Sequence, residues 1–220
     1  MTDIDEIIIS VEVQQTELRP GSTLQGGKYK IIKKLGQGGF GITYLGVQNG
    51  LDRQVAIKEF FMRDYCNRDT STSHVSIGTT GSRELVEKFR QKFMREAKTI
   101  ARLRHKGIVK IHDVFEENGT AYYVMEFVEG ESLKEYVSAK GCIAETAALN
   151  IIRQMGDALA YMHSSNQLHL DIKPANIMMR SDRTPVLIDF GMSKYYADGG
   201  EATTTSPIAK SKGYAPKEQY

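Results

Sequence analysis

The stretch His169-Leu170-Asp171-Ile172-Lys173-Pro174-Ala175-Asn176, with Asp189-Phe190-Gly191 downstream, carries the residues best suited to chemistry. An acid, a cation and an amide stand close together, and a second acid follows one short segment later. Phosphoryl transfer requires that inventory. One carboxylate must accept or orient a hydroxyl proton, a carboxylate and an amide must hold Mg²⁺, and a lysine must offset developing phosphate charge. Asp-Phe-Gly alone occurs by chance; the ordered set is specific.

The elements that must position these residues are legible upstream. Tyr29 to Leu35 and Ile42 to Val47 have strand composition, and Gly36-Gln37-Gly38-Gly39-Phe40-Gly41 lies between them. A dinucleotide fingerprint would require a helix directly after the glycines. Here β-branched and aromatic residues follow, then an Asn49-Gly50 turn signal, so the reading is strand, glycine loop, strand. Such a loop lets backbone N–H groups approach phosphates, with Phe40 at its tip to exclude water. Val55-Ala56-Ile57-Lys58 is a compact strand ending in a lysine. Phe93, Ala97, Ile100 and Leu103 recur at helical spacing and place Glu96 on the flank of that face, within reach of Lys58. The intervening Asp64 to Gly81 reads as a polar insertion without visible chemistry, and helical pattern begins near Arg83, as one long helix or two pieces. Ile108 to Phe115 and Ala121 to Met125 are strands around a turn at Glu116 to Gly119. Ser132 opens a helix, either as a plain N-cap or with a ligand contact. Ala144 to His163 is helical, with Ile151 or Ile152, Met155, Leu159 and Met162 as its core stripe.

At 220 residues the chain can form one large domain or two small lobes. Its 29 basic and 27 acidic residues are intermixed, which argues against a nucleic-acid partner. Cys66 and Cys142 lack CxxC spacing and read as free thiols in a reducing compartment. The start is acidic, and Ile7-Ile8-Ile9 is too short for a signal segment or a membrane span, so a cytoplasmic protein is expected, with no membrane association in the visible chain. Residues 1–27 read as a leader: Ile8 to Val13 suits a short strand, and Pro20-Gly21-Ser22 and Gly26-Gly27 interrupt what precedes the core.

From Tyr29 to Tyr220 the chain resembles a protein kinase of the eukaryotic-like Ser/Thr type found widely in bacteria. The resemblance implies an α+β, bilobal fold: a small lobe over 28–125 with a five-stranded antiparallel sheet and an αC helix, a hinge over 126–130, and a mainly helical large lobe over 131–220. It further implies additional large-lobe helices after Tyr220, so that the chain is expected to be incomplete and the helix at 144–163 to expose apolar surface. Asp171 matches the catalytic base, Lys173 the phosphate-contacting lysine, and Lys58 and Glu96 the ion pair that orients a lysine on the α- and β-phosphates. Asn176 and Asp189 match the two Mg²⁺ ligands.

ATP is the implied nucleotide, bound by the glycine loop and by Leu35, Thr43, Ala56, Met178 and Ile188 around the adenine. Thr43 is usually valine. Met125 matches the gatekeeper, the backbone of Glu126 and Val128 the adenine edge, and Ser132 a ribose contact. His169, Phe190, Ile100 and Ile111 match an apolar column joining the lobes. Lys173 and Ala175 separate the chain from tyrosine kinases, and Ser211 stands where a threonine near the acceptor hydroxyl is usual. Two departures stand out. Leu170 replaces an arginine that clasps a phosphorylated loop, and Tyr214-Ala215-Pro216-Lys217-Glu218 is an Ala-Pro-Glu element with one residue inserted. The implied activity is Mg²⁺-assisted transfer of the γ-phosphoryl of ATP to a Ser/Thr hydroxyl of a protein substrate. A pseudokinase or scaffold is the rival reading, disfavoured by the complete catalytic set; a small-molecule kinase is weaker still.

Overall fold

The computed structural model describes residues 16–78, 80–190, 194–195 and 213–214. Strands β1 (Thr23–Leu24), β2 (Tyr29–Gln37), β3 (Gly41–Gln48) and β4 (Arg53–Phe60) are followed by a small hairpin, β5 (Cys66–Arg68) and β6 (Val75–Ile77). Helix α1 (Arg83–Ile100) precedes β7 (Ile111–Glu117) and β8 (Thr120–Glu126). Beyond them come β9 (Gly130–Ser132), α2 (Leu133–Lys140), α3 (Glu145–Ser164) and β10 (Gln167–Leu168), then β11 (Ile177–Arg180), β12 (Pro185–Leu187) and β13 (Lys194–Tyr195).

The main sheet is antiparallel with the order β1-β2-β3-β4-β8-β7. The five expected strands are present, and β1 adds a sixth from a segment read as leader. Leu18 and Leu24 are buried in the small-lobe core, and the Leu18 N–H donates to the Tyr44 hydroxyl at 3.1 Å. The expected strand at Ile8 to Val13 lies outside the described residues.

Alternation along β4 assigns its side chains to two cores. Val55 and Ile57 pack with Leu18, Leu24, Cys66 and Val75, whereas Ala56 belongs to a second cluster with Ile100, Met155, Ile177 and Leu187. A strand buried on both faces reads as a nearly unbroken apolar run, and Val55-Ala56-Ile57 is one.

The segment from Asp64 to Gly81 is not featureless. Arg68, in β5, sends its guanidinium into the small lobe, 2.6 Å from the carboxylate of the fully buried Glu59. Glu59 also accepts hydrogen bonds from the hydroxyls of Tyr44 and Tyr122, so each carboxylate oxygen is satisfied. Arg68 further donates to the carbonyls of Thr16 and Ser73, tying the N-terminal segment to the hairpin.

Helix α1 is one continuous piece. Val86, Phe89, Phe93, Ala97 and Ile100 form its inward stripe, and Glu84 in the first turn and Lys98 in the last suit the helix dipole. In α3 the buried stripe is Ile151, Met155, Ala158 and Met162; Ile152 faces solvent, as does Leu149. Large-lobe strands β9, β11 and β12 form a three-stranded sheet under the hinge, an element absent from the sequence reading. No described helix is long and apolar enough to cross a membrane.

Candidate active site

The glycine loop joins β2 to β3 and is closed by the Gly38 N–H donating to the Gly41 carbonyl at 2.8 Å. Gly41 is dictated by packing, because a Cβ there would lie 2.5 Å from the Glu59 carbonyl oxygen. Gly36, Gly38 and Gly39 have open space where a Cβ would stand, which leaves their backbone approachable by a bulky anion. Phe40 at the tip stacks on Phe89 of α1, ring centroids 5.3 Å apart. The loop thus leans toward the helix.

Below it lies a cleft of about 390 Å³. The glycine loop, Thr43, Lys58, Glu96, Asp171, Lys173 and Asp189 all line it, so the structure gathers at one place residues drawn from five separate segments. Pairing of β3 with β4 sets Thr43 opposite Lys58.

Lys58 is held by Asp189, Nζ to Oδ1 2.7 Å. Burial works against its charge, but Asp189 and the neighbouring Tyr123 outweigh this, and its pKa ends above the ordinary lysine value. The same burial pushes the Tyr123 phenol up to about 12, against the pull of Lys58. The expected Lys58–Glu96 ion pair is not formed; the Lys58 Nζ does not come within 4.0 Å of a Glu96 carboxylate oxygen. The physical reason is that both partners are engaged elsewhere. Asp189 occupies the lysine, and Lys92, one turn earlier on α1, lies 3.4 Å from the Glu96 carboxylate. That approach lacks hydrogen-bonding geometry, so Glu96 Oε1 is buried without a hydrogen-bond partner. Burial, partly offset by Lys92 and then Lys58, raises the Glu96 carboxyl to about 8.

The stretch from His169 to Asn176 is cross-braced. The Asp171 carboxylate accepts from Lys173 Nζ at 2.8 Å and from Asn176 Nδ2 at 2.9 Å, and the same amide reaches the Asp171 carbonyl. A 3₁₀ turn, Pro174–Asn176, sets this up; proline at its first position has no N–H to leave unsatisfied. The Asn176 carbonyl accepts from Ile188 N–H at 3.1 Å, which ties the turn to the strand end just before Asp189. His169 is buried against Phe190, ring centroids 4.9 Å apart, and its Nδ1 accepts from the Asp171 N–H at 3.3 Å. Burial lowers its pKa to about 4, so the ring is neutral at pH 7. Phe190 and Ile100 share one core cluster, with Ile111 packed against it.

Of the residues matched to the adenine pocket, Thr43 lines this cleft; Leu35, Ala56, Met125, Glu126, Val128, Ser132, Met178 and Ile188 are not among its lining residues. Ala56 stands opposite Met125 across β4 and β8, and Met178 opposite Ser132 across β11 and β9. Ala56, Met125 and Val128 are buried in the second core, with Met178 and Ile188 packed on it; Leu35 is exposed. The Glu126 N–H donates to the Lys110 carbonyl at 2.8 Å. Ser132 caps α2 in a reciprocal capping box with Glu135.

A family model described as "Protein kinase domain" matches residues 29–219. The chain belongs to the protein kinase family. Relatives include serine/threonine-protein kinase PrkC of Bacillus subtilis, 35% identical over 193 residues, covering 88% of this chain and 27% of PrkC. Another is serine/threonine-protein kinase PknA of Mycobacterium tuberculosis, 32% identical over 206 residues, covering 91% of this chain and 43% of PknA. A solved structure described as "PpkA-294 apo form" superposes with a TM-score of 0.74 at 29% identity, over 80% of this chain and 62% of that one. The chain therefore spans less than half the length of these curated relatives.

Within the kinase frame, several cleft residues escaped the sequence reading. Lys92 was signalled only by its four-residue spacing from Glu96. Phe60, Phe89 and Phe93 also line the cleft; of these only Phe93 figures in the sequence reading, on the apolar face of its helix. Ser211, the Thr203 to Ser206 hydroxyls, Gly191 and the Ala215 to Glu218 element lie outside the described residues.

Proposed function

We propose that the chain is the catalytic part of an ATP-dependent protein serine/threonine kinase that works in the cytoplasm. The observation that carries this reading is the convergence of the glycine loop, Lys58, Asp171, Lys173 and Asp189 on one cleft. Phosphoryl transfer is largely positioning plus charge stabilisation, and those residues supply both. Open backbone at Gly38 and Gly39 receives phosphate oxygens, and Lys58 projects from a buried strand toward the same space. Asp171, held by Lys173 and Asn176, is oriented to accept the hydroxyl proton of a Ser/Thr acceptor. Lys173 then stays close to the transferred group.

Asn176 and Asp189 fit Mg²⁺ by their chemistry. The ion takes one or two carboxylates, other oxygen donors and substrate phosphates. Asn176 spends its amide N–H on Asp171, which leaves its amide oxygen as a donor. When bound, the ion would neutralise charge on the phosphates. The adenine would meet the Glu126 carbonyl and the Val128 N–H beside Met125.

The separated Lys58 and Glu96 favour one alternative, a nucleotide-binding module without turnover. One experiment tests both readings. Transfer of labelled γ-phosphate to a Ser/Thr-containing protein is measured for the chain, Asp171→Ala and Lys58→Ala. Each substitution should lower the rate by ~10²-fold or more. Undiminished transfer by Asp171→Ala refutes the catalytic assignment, and nucleotide binding without transfer in the unmodified chain favours the non-catalytic module.

A further inference from the structure

The connection between the lobes is held at both of its ends by one residue. Arg180, the last residue of β11, pairs through its backbone with Gly130 at the start of β9. Its guanidinium reaches back to Glu126, the last residue of β8, with Nη2 2.7 Å from Oε1. The backbone approach is close. A Cβ at Gly130 would lie 1.9 Å from the Met179 carbonyl oxygen, and Gly130 has φ +147°, so glycine is required there.

Glu126 depends on this clamp. Its second carboxylate oxygen is buried without a hydrogen-bond partner, and its N–H is already given to Lys110. The middle of the connection is anchored as well, with Val128 buried and Phe127 packed against the second core. A five-residue segment with both ends tied to one arginine has little freedom to slide or rotate.

We propose that Arg180 is a positioning residue that holds the 126–130 backbone in register to read adenine and reject guanine. The inference rests on the reading, given above, that the Glu126 carbonyl and Val128 N–H face the purine. Adenine presents an N6–H donor and an N1 acceptor; guanine presents an O6 acceptor and an N1–H donor, the reverse order. A fixed backbone meets guanine with like groups opposed and unpaired. A backbone that can rotate a peptide or shift accommodates either base. Arg180 contributes nothing at the phosphate end, which is built from the glycine loop, Lys58 and Asp189.

The test is equilibrium binding of ATP and of GTP, with Mg²⁺, to the full 220-residue chain and to Arg180→Met, Arg180→Lys and Lys58→Met. Arg180→Met should weaken ATP binding by about tenfold, the size of one lost contact, while GTP stays within about twofold. Arg180→Lys, which keeps the charge, should recover most of the preference. Lys58→Met should weaken both nucleotides alike. An unchanged ATP-to-GTP ratio in Arg180→Met, even with both affinities reduced, overturns the positioning role and leaves a merely structural one. Should Arg180→Met fail to fold, Glu126→Gln keeps the shape and removes the charge; it must lower the ratio too, and an unaltered ratio refutes the proposal. If the unmodified chain binds neither nucleotide, the reading of the cleft itself fails, an outcome distinct from failure of the variants.

Discussion

Burial that Lys92 and Lys58 only partly offset makes the Glu96 carboxyl sensitive to pH. In the unfolded chain its carboxyl titrates at the ordinary 4.5, and in the folded chain at about 8. Between those values the folded state holds a proton that the unfolded state has released. The stabilisation this gives is complete below 4.5 and is gone once the pH has risen through 8. Glu96→Gln is neutral at every pH and keeps the shape, so it should remove this fall. Urea midpoints taken from about pH 5 to about pH 8.5 should decline less in the variant than in the parent. Parallel curves would show that Glu96 ionises freely. A second test at this scale concerns Asp189. Asp189→Asn should weaken Mg-ATP binding far more than binding of metal-free ATP, read by calorimetry with and without Mg²⁺. Equal losses would make Asp189 a structural partner of Lys58 and no more.

Strand β4 joins two environments: Lys58 lines the cleft, and its neighbour Glu59 is sealed in the small-lobe core by Arg68, Tyr44 and Tyr122. Removing one member of a buried ion pair leaves the other charged and unsolvated. Arg68→Ala should therefore cost roughly 3–5 kcal/mol of stability, whereas the joint replacement of Arg68 and Glu59 by methionine should cost far less. Thermal melts of the two variants distinguish these outcomes. Equal losses would show that the Glu59 charge left unpaired is not what makes Arg68→Ala costly.

This element also shows what a sequence discloses. The main strands and α1 were legible because their apolar periods are strong and local; the glycine loop and the stretch holding Asp171 and Lys173, read from their spacing, line one cleft. The partner of Glu59 was not. Arg68 lies in a stretch rich in Ser, Thr and Asp that carries no periodicity, and only tertiary pairing reveals its role. The choice between Ile151 and Ile152 was unreadable for a related reason, since adjacent positions differ by about 100° on a helix and both fit a ragged stripe. The Lys58–Glu96 pair failed for another: sequence shows who can meet, whereas Asp189 and Lys92 decide who does.

At the scale of the molecule, the two lobes meet along Ile100, His169 and Phe190, and the segment after Asp189 is the natural place for control. Many kinases order that segment by pairing a loop phosphate with an arginine directly before the catalytic aspartate. Here the position is Leu170, whose side chain has no donor, and whose backbone at φ +62° adopts a conformation leucine rarely takes. A phosphate of charge about −1.5 to −2 would find no bidentate partner in a leucine side chain. A lysine in that arginine's role would offer a point charge and not a bidentate fork. Loop phosphorylation should therefore matter little to turnover. Replacing Thr203, Thr204, Thr205 and Ser206 together by alanine should leave the initial rate at saturating ATP within a few-fold of the parent, as should phosphatase treatment of the parent. If both treatments abolish the rate, a loop phosphate is required and some cation other than residue 170 receives it. If only the quadruple variant fails, the hydroxyls themselves are needed, for acceptor binding or loop packing, and phosphorylation is not the switch.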